Sequence, residues 1–335
     1  MSASALEAAR QRGPRGAWIR WAVWVAFTAA LAFAIASLPW PRIVERLAQV
    51  RPLWLMAAVM ANVVILPLWA IEWRLLVPAG FRVAYGRMFE IVAITASVLN
   101  AVPFFAGEAS AVGLLVARGG LTRGAAVSVL AMDQLLVAFA KLATLAAATL
   151  FVALPGWLRA GVLSLVAGFA ILLVILLVLA HAWAPWQAWL ERASGRVRST
   201  VASIVAWGTH LDALRQPRRA APAMLLALLK KGAEVAAIIA TQLAFGLDPS
   251  LAAAVLVVAA LAITTLLPIA PANLGVYEAT VFAAYRYLGV SSDAAIGLAL
   301  VQHACFLVPS ILTGYLTAML GQLTRGRGAR ATSAS

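Results

Sequence analysis

Two glutamates, Glu108 and Glu278, stand inside apolar stretches of this chain. Each follows a proline and a glycine: Pro103-Phe-Phe-Ala-Gly107-Glu108 and Pro271-Ala-Asn-Leu-Gly275-Val-Tyr277-Glu278. A carboxylate at membrane depth is costly and marks a candidate functional site. A helix restarting after such a break offers unpaired N–H groups and the positive end of its dipole. That end can receive a phosphate or carboxylate head group. Alternatively, each glutamate caps its own half-helix, and one residue can do both. Pro103, Pro268 and Pro271 break the helical ladder and free carbonyls. Gly107 and Gly275 permit turns and close helix approach, and Asn100 and Asn273 can bridge loose backbone groups. Tyr277, Asp133 and His303 complete the candidate substrate-binding set. His303 could titrate near neutral pH or serve as a hydrogen-bonded packing residue. No zinc spacing, P-loop or GxSxG elbow occurs, and neither metal nor cofactor is expected.

These residues must be positioned by a membrane scaffold. The chain has 335 residues, of which 64% are hydrophobic and 11% charged, with a mean hydropathy of +0.95. A soluble domain is nearer half apolar and a quarter charged. Apolar runs of helix-spanning length are continuous rather than alternating, which excludes a β-barrel. The net charge of +14 reads as arginines in cytoplasmic loops facing anionic lipid, not as a nucleic-acid footprint. The single cysteine, Cys305, permits no disulfide framework.

The long apolar segments are 17–38, 53–77, 125–153, 157–182, 221–245 and 293–320. The first, after Arg10, Arg12 and Arg15, reads as a retained span rather than a cleaved signal. Two further regions, 84–118 and 250–288, are apolar but interrupted. If the first of them crosses the membrane, Arg192, Arg196, Arg198, Arg215, Arg218 and Arg219 fall outside, against the positive-inside rule. If both are re-entrant hairpins, both termini are cytoplasmic. Only Arg42, Arg46, Arg51, Arg159 and Arg286 then lie outside, and Lys141 alone sits in the membrane. Segment 186–214 has the periodicity of an interfacial amphipathic helix on the cytoplasmic leaflet. The tail, about 322–335, is expected to be disordered.

The interrupted regions resemble each other. From the glutamate to a following glycine is 12 residues in the first (Gly120) and 11 in the second (Gly289), and Ala125-Ala126 matches Ala294-Ala295. Residues of about 17–153 and 157–320 therefore read as two copies of one unit. Three full crossings per unit require the second copy to insert upside down, as in secondary transporters with midplane sites at interrupted helices. The expected fold is an all-α polytopic membrane protein with two inverted-topology repeats, about six full spans and two re-entrant helical hairpins.

At this point the motifs carry a family resemblance. "LNAVPFFAGEASAVGLLVARGGLTRGAAVSVLAMDQLL" and "LLPIAPANLGVYEATVFAAYRYLGVSSDAAIGLAL" resemble the two signatures of the lysylphosphatidylglycerol synthase transmembrane-region family, also called flippase-like. The resemblance covers about 20–320. It implies a membrane unit moving lipids between leaflets of the bacterial cytoplasmic membrane, beside envelope-lipid biosynthetic proteins. Basic residues that the family carries stand here as Phe105 and Ala111, its Glu-Arg as Asp133-Gln134 and a later arginine as His303. This depletion of phosphate-gripping arginines leads to the expectation of a neutral, cationic or isoprenoid-like lipid. The family's soluble aminoacyl-transferase domain has no room in this chain.

The expected function is translocation of a lipid or amphiphile through a midplane cavity between the two hairpins, without chemical conversion. The alternatives are a non-catalytic scaffold for envelope-lipid biosynthesis and a membrane-embedded lipid transferase. Against the latter, no Asp-rich metal motif and no nucleophile with a positioned base is present. Among the remaining charges, Asp133 and Lys141 read as a pair neutralised through neighbours. Glu72 and Arg74 read as interface residues, and Lys230 and Glu234 as an i, i+4 pair.

Overall fold

The structure, a computed structural model, describes residues 41, 44, 45, 48–101, 106–154, 156–181, 217–266 and 270–332. Two compact units are distinguished, Met1–Glu45 and Arg46–Ser335, and every element below belongs to the second. The elements are α1 (Pro52–Leu76), α2 (Tyr85–Ala101), α3 (Ala106–Ala117), α4 (Arg123–Phe151), α5 (Gly156–His181), α6 (Pro217–Ala244), α7 (Leu251–Thr264), a 3-10 turn (Pro271–Asn273), α8 (Val276–Tyr287) and α9 (Ser292–Thr332). No strand occurs among the described residues.

Local chemistry sets the helix ends. Pro52 opens α1, where a missing N–H costs nothing. The Thr122 hydroxyl accepts the Ala125 N–H at 3.3 Å to start α4, and Ser250 accepts that of Ala253 at 3.1 Å to start α7. Glycines with positive φ follow α1 (Gly80, 97°), α3 (Gly120, 71°), α6 (Gly246, 69°) and α8 (Gly289, 82°). The left-handed turn that ends a helix thus recurs at corresponding places in the two halves.

By length and composition, Pro52–Leu76, Arg123–Phe151 and Ser292–Leu320 can each cross a membrane. They coincide with the expected spans 53–77, 125–153 and 293–320. The expected spans 157–182 and 221–245 are the helices α5 and α6. Arg218, Arg219, Lys230, Lys231 and Glu234 make α6 too charged to qualify on composition alone. Segment 17–38, the amphipathic segment 186–214, Pro103 and Pro268 lie outside the described residues. Helix α9 continues to Thr332, past the tail start expected near 322; extending a helix already nucleated is cheaper than starting one.

Each interrupted region doubles back on itself. Glu90, in the second turn of α2, is ion-paired with Arg118, just past the end of α3. Gly107 lets the two helices close: a Cβ there would fall on the Leu99 side chain, 2.9 Å from Leu99 Cα. In the second region, Gln242 links both ends, bonding Ser250 before α7 and the Tyr285 hydroxyl near the end of α8.

Helix contacts follow one exchange rule. Swapping α1 with α6, α2 with α7, α3 with α8 and α4 with α9 maps the contact between α2 and α9 onto that between α4 and α7. The same swap maps α1–α9 onto α4–α6, α2–α3 onto α7–α8 and α3–α4 onto α8–α9, and returns α1–α6 to itself. Two buried clusters lie mainly within one half each, and a third joins Leu145 and Ala148 of α4 to Val255, Leu256 and Ala259 of α7. The first gathers Leu66, Trp73, Met88, Ile91, Leu115 and Val129, and the second Val257, Val258, Val281, Ala284, Tyr285 and Leu298. Gly314 brings α9 onto α2 against Ala93 and Ser97.

The burial pattern is that of a protein solvated by lipid. Leu53, Met56, Met60 and Val64 of α1, and Val308, Leu312 and Leu316 of α9, are exposed. Glu72, Asp133, Lys230, Gln242, Gln302 and His303 are buried. In water this distribution is unfavourable; in a bilayer, polar groups face the bundle interior.

Candidate functional site

The second break places its residues through strained backbone. After α7 ends at Thr264, Ala272, Asn273 and Gly275 take φ values of 55°, 54° and 82°. Left-handed backbone costs a non-glycine residue about 1–2 kcal/mol. Such outliers persist only where the surroundings hold them. Ala272 is buried, and the Asn273 N–H donates to the Ala270 carbonyl at 3.0 Å.

Helix α8 then starts under Glu278. Its Oε2 accepts the Gly275 N–H at 2.7 Å, and its Oε1 lies 2.7 Å from His303 Nδ1. Glu278 is therefore both a cap and one member of a polar pair; with the carboxylate ionised, Nδ1 carries the shared proton. The His303 ring stacks on Tyr277 with centroids 4.1 Å apart and planes 11° off parallel, and Tyr277 stacks in turn on Phe306. The Tyr277 hydroxyl accepts from Gln302 Nε2 at 3.1 Å. Glu108 stands in the first turn of α3, with Oε2 buried and without a hydrogen-bond partner among the described residues.

A cavity of about 170 Å³ lies between the two halves. Asn62, Asn100, Lys141, Lys231, Glu234 and Asn273 line it. Tyr277, Gln302, Thr265 and Phe306 supply further wall. Its contributors lie toward the middles of α1, α4, α6 and α9, together with the ends of both breaks. The turn Pro271–Asn273 contacts α2, so Asn100 from one break and Asn273 from the other share this space. Ala237, Ile238, Val258, Leu261, Ala262 and Ala272 complete a wall that is part polar and part apolar, and such a space can hold several waters or a head group.

Of the expected site residues, Asn100, Asn273 and Tyr277 line the cavity. Glu278 and His303 stand one residue behind that wall, through the stacked Tyr277 ring. Glu108, Gly107, Gly275 and Asp133 are not among its lining residues, so the two glutamates do not meet in it. Pro271 belongs to the turn itself.

Asp133 has a different partner from the one its sequence suggests. Its Oδ1 accepts from Trp69 Nε1 at 3.0 Å and from Trp73 Nε1 at 2.9 Å. Lys230 Nζ lies 4.0 Å from it, 2.9 Å from the Glu72 carboxylate and 5.5 Å from the Trp69 ring centre. Glu72 is fully buried, not an interface residue, and Arg74 donates to the Val83 carbonyl at 3.1 Å. Lys231, not Lys230, pairs with Glu234, at 2.6 and 2.8 Å. Adjacent helix positions point about 100° apart, so Lys230 faces Glu72 while Lys231 faces the cavity.

Lys141 is left without a hydrogen-bond or ion-pair partner among the described residues, in the cavity wall. The sequence allowed a pair with Asp133 neutralised through neighbours, but eight residues turn about 80° around a helix. That angle was the available signal that the two face different ways. A lone ammonium at the centre of a span costs on the order of 3 kcal/mol, a cost that water in the cavity and the Glu234 carboxylate in the same wall both lower.

With every described element helical, an apolar exterior and polar side chains gathered inside, the chain is an all-α membrane protein. A family model for the lysylphosphatidylglycerol synthase TM region matches residues 19–314. The chain belongs to that family, whose members are membrane proteins involved in lipid handling. No curated protein and no solved structure matches it at a significant level.

Proposed function

We propose that this protein is a lipid or amphiphile translocase of the bacterial cytoplasmic membrane, with both termini cytoplasmic. The observation that carries the reading is the cavity between the halves, whose polar wall includes Asn100 and Asn273 from the two breaks. Head groups would cross through this space while acyl chains stay in lipid. Irregular backbone at membrane depth is tolerated where it is buried or lines a wet cavity, and the second break meets that condition.

The exchange rule among helix contacts supports two inverted-topology repeats, and the doubling-back of 84–118 and 250–288 supports two re-entrant hairpins. Among the described lining residues no nucleophile stands beside a positioned base, which favours transport without chemical conversion. A partnership with envelope-lipid biosynthetic proteins remains part of this proposal, because a translocase must be fed by the enzymes that make its lipid.

Leaflet exchange of labelled envelope lipids in reconstituted liposomes tests the reading. Exchange should exceed that of empty liposomes and fall at least tenfold in Asn273→Leu, whose side chain fills the cavity wall. Exchange no faster than in empty liposomes, for every envelope lipid tried, would sink it.

A further inference from the structure

Glu72, Asp133 and Lys230 form a charge cluster outside the cavity wall. All three are buried, and Glu72 has no exposed surface. Two carboxylates beside one ammonium leave a negative charge in excess, inside the bundle, where an uncompensated charge is costly. The hydrogen bonds show the same deficit. Lys230 Nζ donates to Glu72 Oε1 at 2.9 Å. Glu72 Oε2, equally near Nζ, is buried without a hydrogen bond. Asp133 Oδ1 is occupied by the indoles of Trp69 and Trp73. The two carboxyls nevertheless lie within hydrogen-bonding reach of each other. Carboxylates only accept, so a bond between two carboxyls needs a proton on one of them. The same proton cancels the excess charge.

The other charges around the cluster are engaged elsewhere. Lys230 and Asp133 are the charged groups that face Glu72. Next to it on α1, Arg74 donates to the Val83 carbonyl. On α6, Lys231 pairs with Glu234, and on α2, Glu90 pairs with Arg87 and Arg118. On α9, His303 pairs with Glu278, α7 carries no ionisable side chain, and Lys141 of α4 stands in the cavity wall.

We propose that Glu72 and Asp133 hold one exchangeable proton beside Lys230, and that its release and uptake drive the change of access to the cavity. With the proton bound, the cluster is neutral. On release the proton passes to water, and both carboxylates hold Lys230, which clamps α6 of the second half against α1 and α4 of the first. On uptake one carboxyl loses its charge and most of its attraction for the ammonium, and the clamp loosens. The cluster is thereby a two-state element that a proton and a cavity ligand can both bias. Its place suits that role. Asp133 stands eight residues before the cavity-lining Lys141 on α4, about 12 Å along the helix, and Glu72 ten residues after the cavity-lining Asn62 on α1, about 15 Å. Both displacements run toward the end of the bundle where Arg219, at the start of α6, donates to the Val77 carbonyl just past α1. The coupling rests on the translocation reading, but the proton site and leaflet exchange are read separately, so either can fail alone.

Two measurements on the full-length protein test this. The first is infrared spectroscopy in detergent at neutral pH, where solvated carboxyls are ionised and a protonated one keeps its distinct C=O stretch. The unaltered protein should show such a band, and Glu72→Gln and Asp133→Asn should each remove it. Either substitution leaves one acid opposite Lys230, a neutral pair, so the thermal midpoints should stay close to that of the unaltered protein. The second is leaflet exchange in liposomes under an imposed pH gradient. A proton ionophore should slow exchange by the unaltered protein about fivefold or more, the lower end of coupling between sites. Glu72→Gln mimics the protonated carboxyl, so its exchange should be the same with and without the ionophore. A missing band, or a spectrum unchanged by both substitutions, would overturn the proton site whether or not lipids exchange. Exchange by the unaltered protein that ignores the ionophore would overturn the coupling and leave translocation standing.

Discussion

Lys230 Nζ lies 2.9 Å from the carboxylate of Glu72, a residue with no exposed surface, and the pair ties α6 to α1. It joins a cation of the second half to an acid of the first. Asp133 of α4 completes the cluster, so three helices converge on one ammonium. Removing one partner of a buried pair strands the other charge, at about 3–5 kcal/mol. Lys230→Met should therefore lower the thermal midpoint in detergent sharply, and the added change Glu72→Gln should restore most of the loss. Equal midpoints for Lys230→Met and the unaltered protein would mean that the pair holds nothing together.

Asp133 accepts two indole N–H groups, from Trp69 and Trp73, whose rings meet edge-on at 5.4 Å. Each buried donor left unsatisfied costs about 1–3 kcal/mol. Asp133→Leu should thus cost more than Asp133→Asn, which keeps an acceptor oxygen. Chemical unfolding curves of the two variants check the order. A reversed order would indicate that the Lys230 charge, not the indoles, sets the requirement.

Glu278 joins a cap to a His contact, and two substitutions separate these roles. Glu278→Gln keeps an oxygen for the Gly275 N–H but loses the charge beside His303. Glu278→Ala loses both, and the lost cap adds about 1 kcal/mol of destabilisation. Equally slow leaflet exchange in both variants, with only Ala destabilised, is expected if the charge carries function. Normal exchange in Glu278→Gln would reduce Glu278 to a cap.

Helix crossings at glycine should be selective. A Cβ at Gly314 meets the Ala93 backbone and the Ser97 side chain, whereas at Gly113 nothing lies within 4 Å. Gly314→Ala should destabilise by about 1–3 kcal/mol through overpacking. Gly113→Ala should be neutral or slightly stabilising, since alanine favours the helix. Thermal midpoints measured side by side decide it.

Much of the architecture was legible because lipid imposes a simple rule. Apolar stretches long enough to span become helices, since no other backbone satisfies its own hydrogen bonds there. The three clearest spans and the two interrupted regions were readable on that basis. Glu278 was readable because a glycine-then-acid pattern at a helix start has a local meaning. The pairings of Glu72, Lys230, Lys231 and Asp133 were not. Each lies on a different helix face from the one simple spacing suggests, and their partners are up to 158 residues away.

By itself, then, the sequence determined composition, helix positions, the breaks and their likeness to each other, because each depends on neighbours a few residues away. The tertiary structure decided which charges meet. It placed Lys230 on Glu72, gave Lys231 to Glu234 and left Lys141 facing a cavity shared by Asn100 and Asn273. The physical reason is that adjacent positions on a helix diverge by about 100°. Which of two neighbouring lysines finds an acid depends on which helix packs alongside, and that is a property of the assembled bundle.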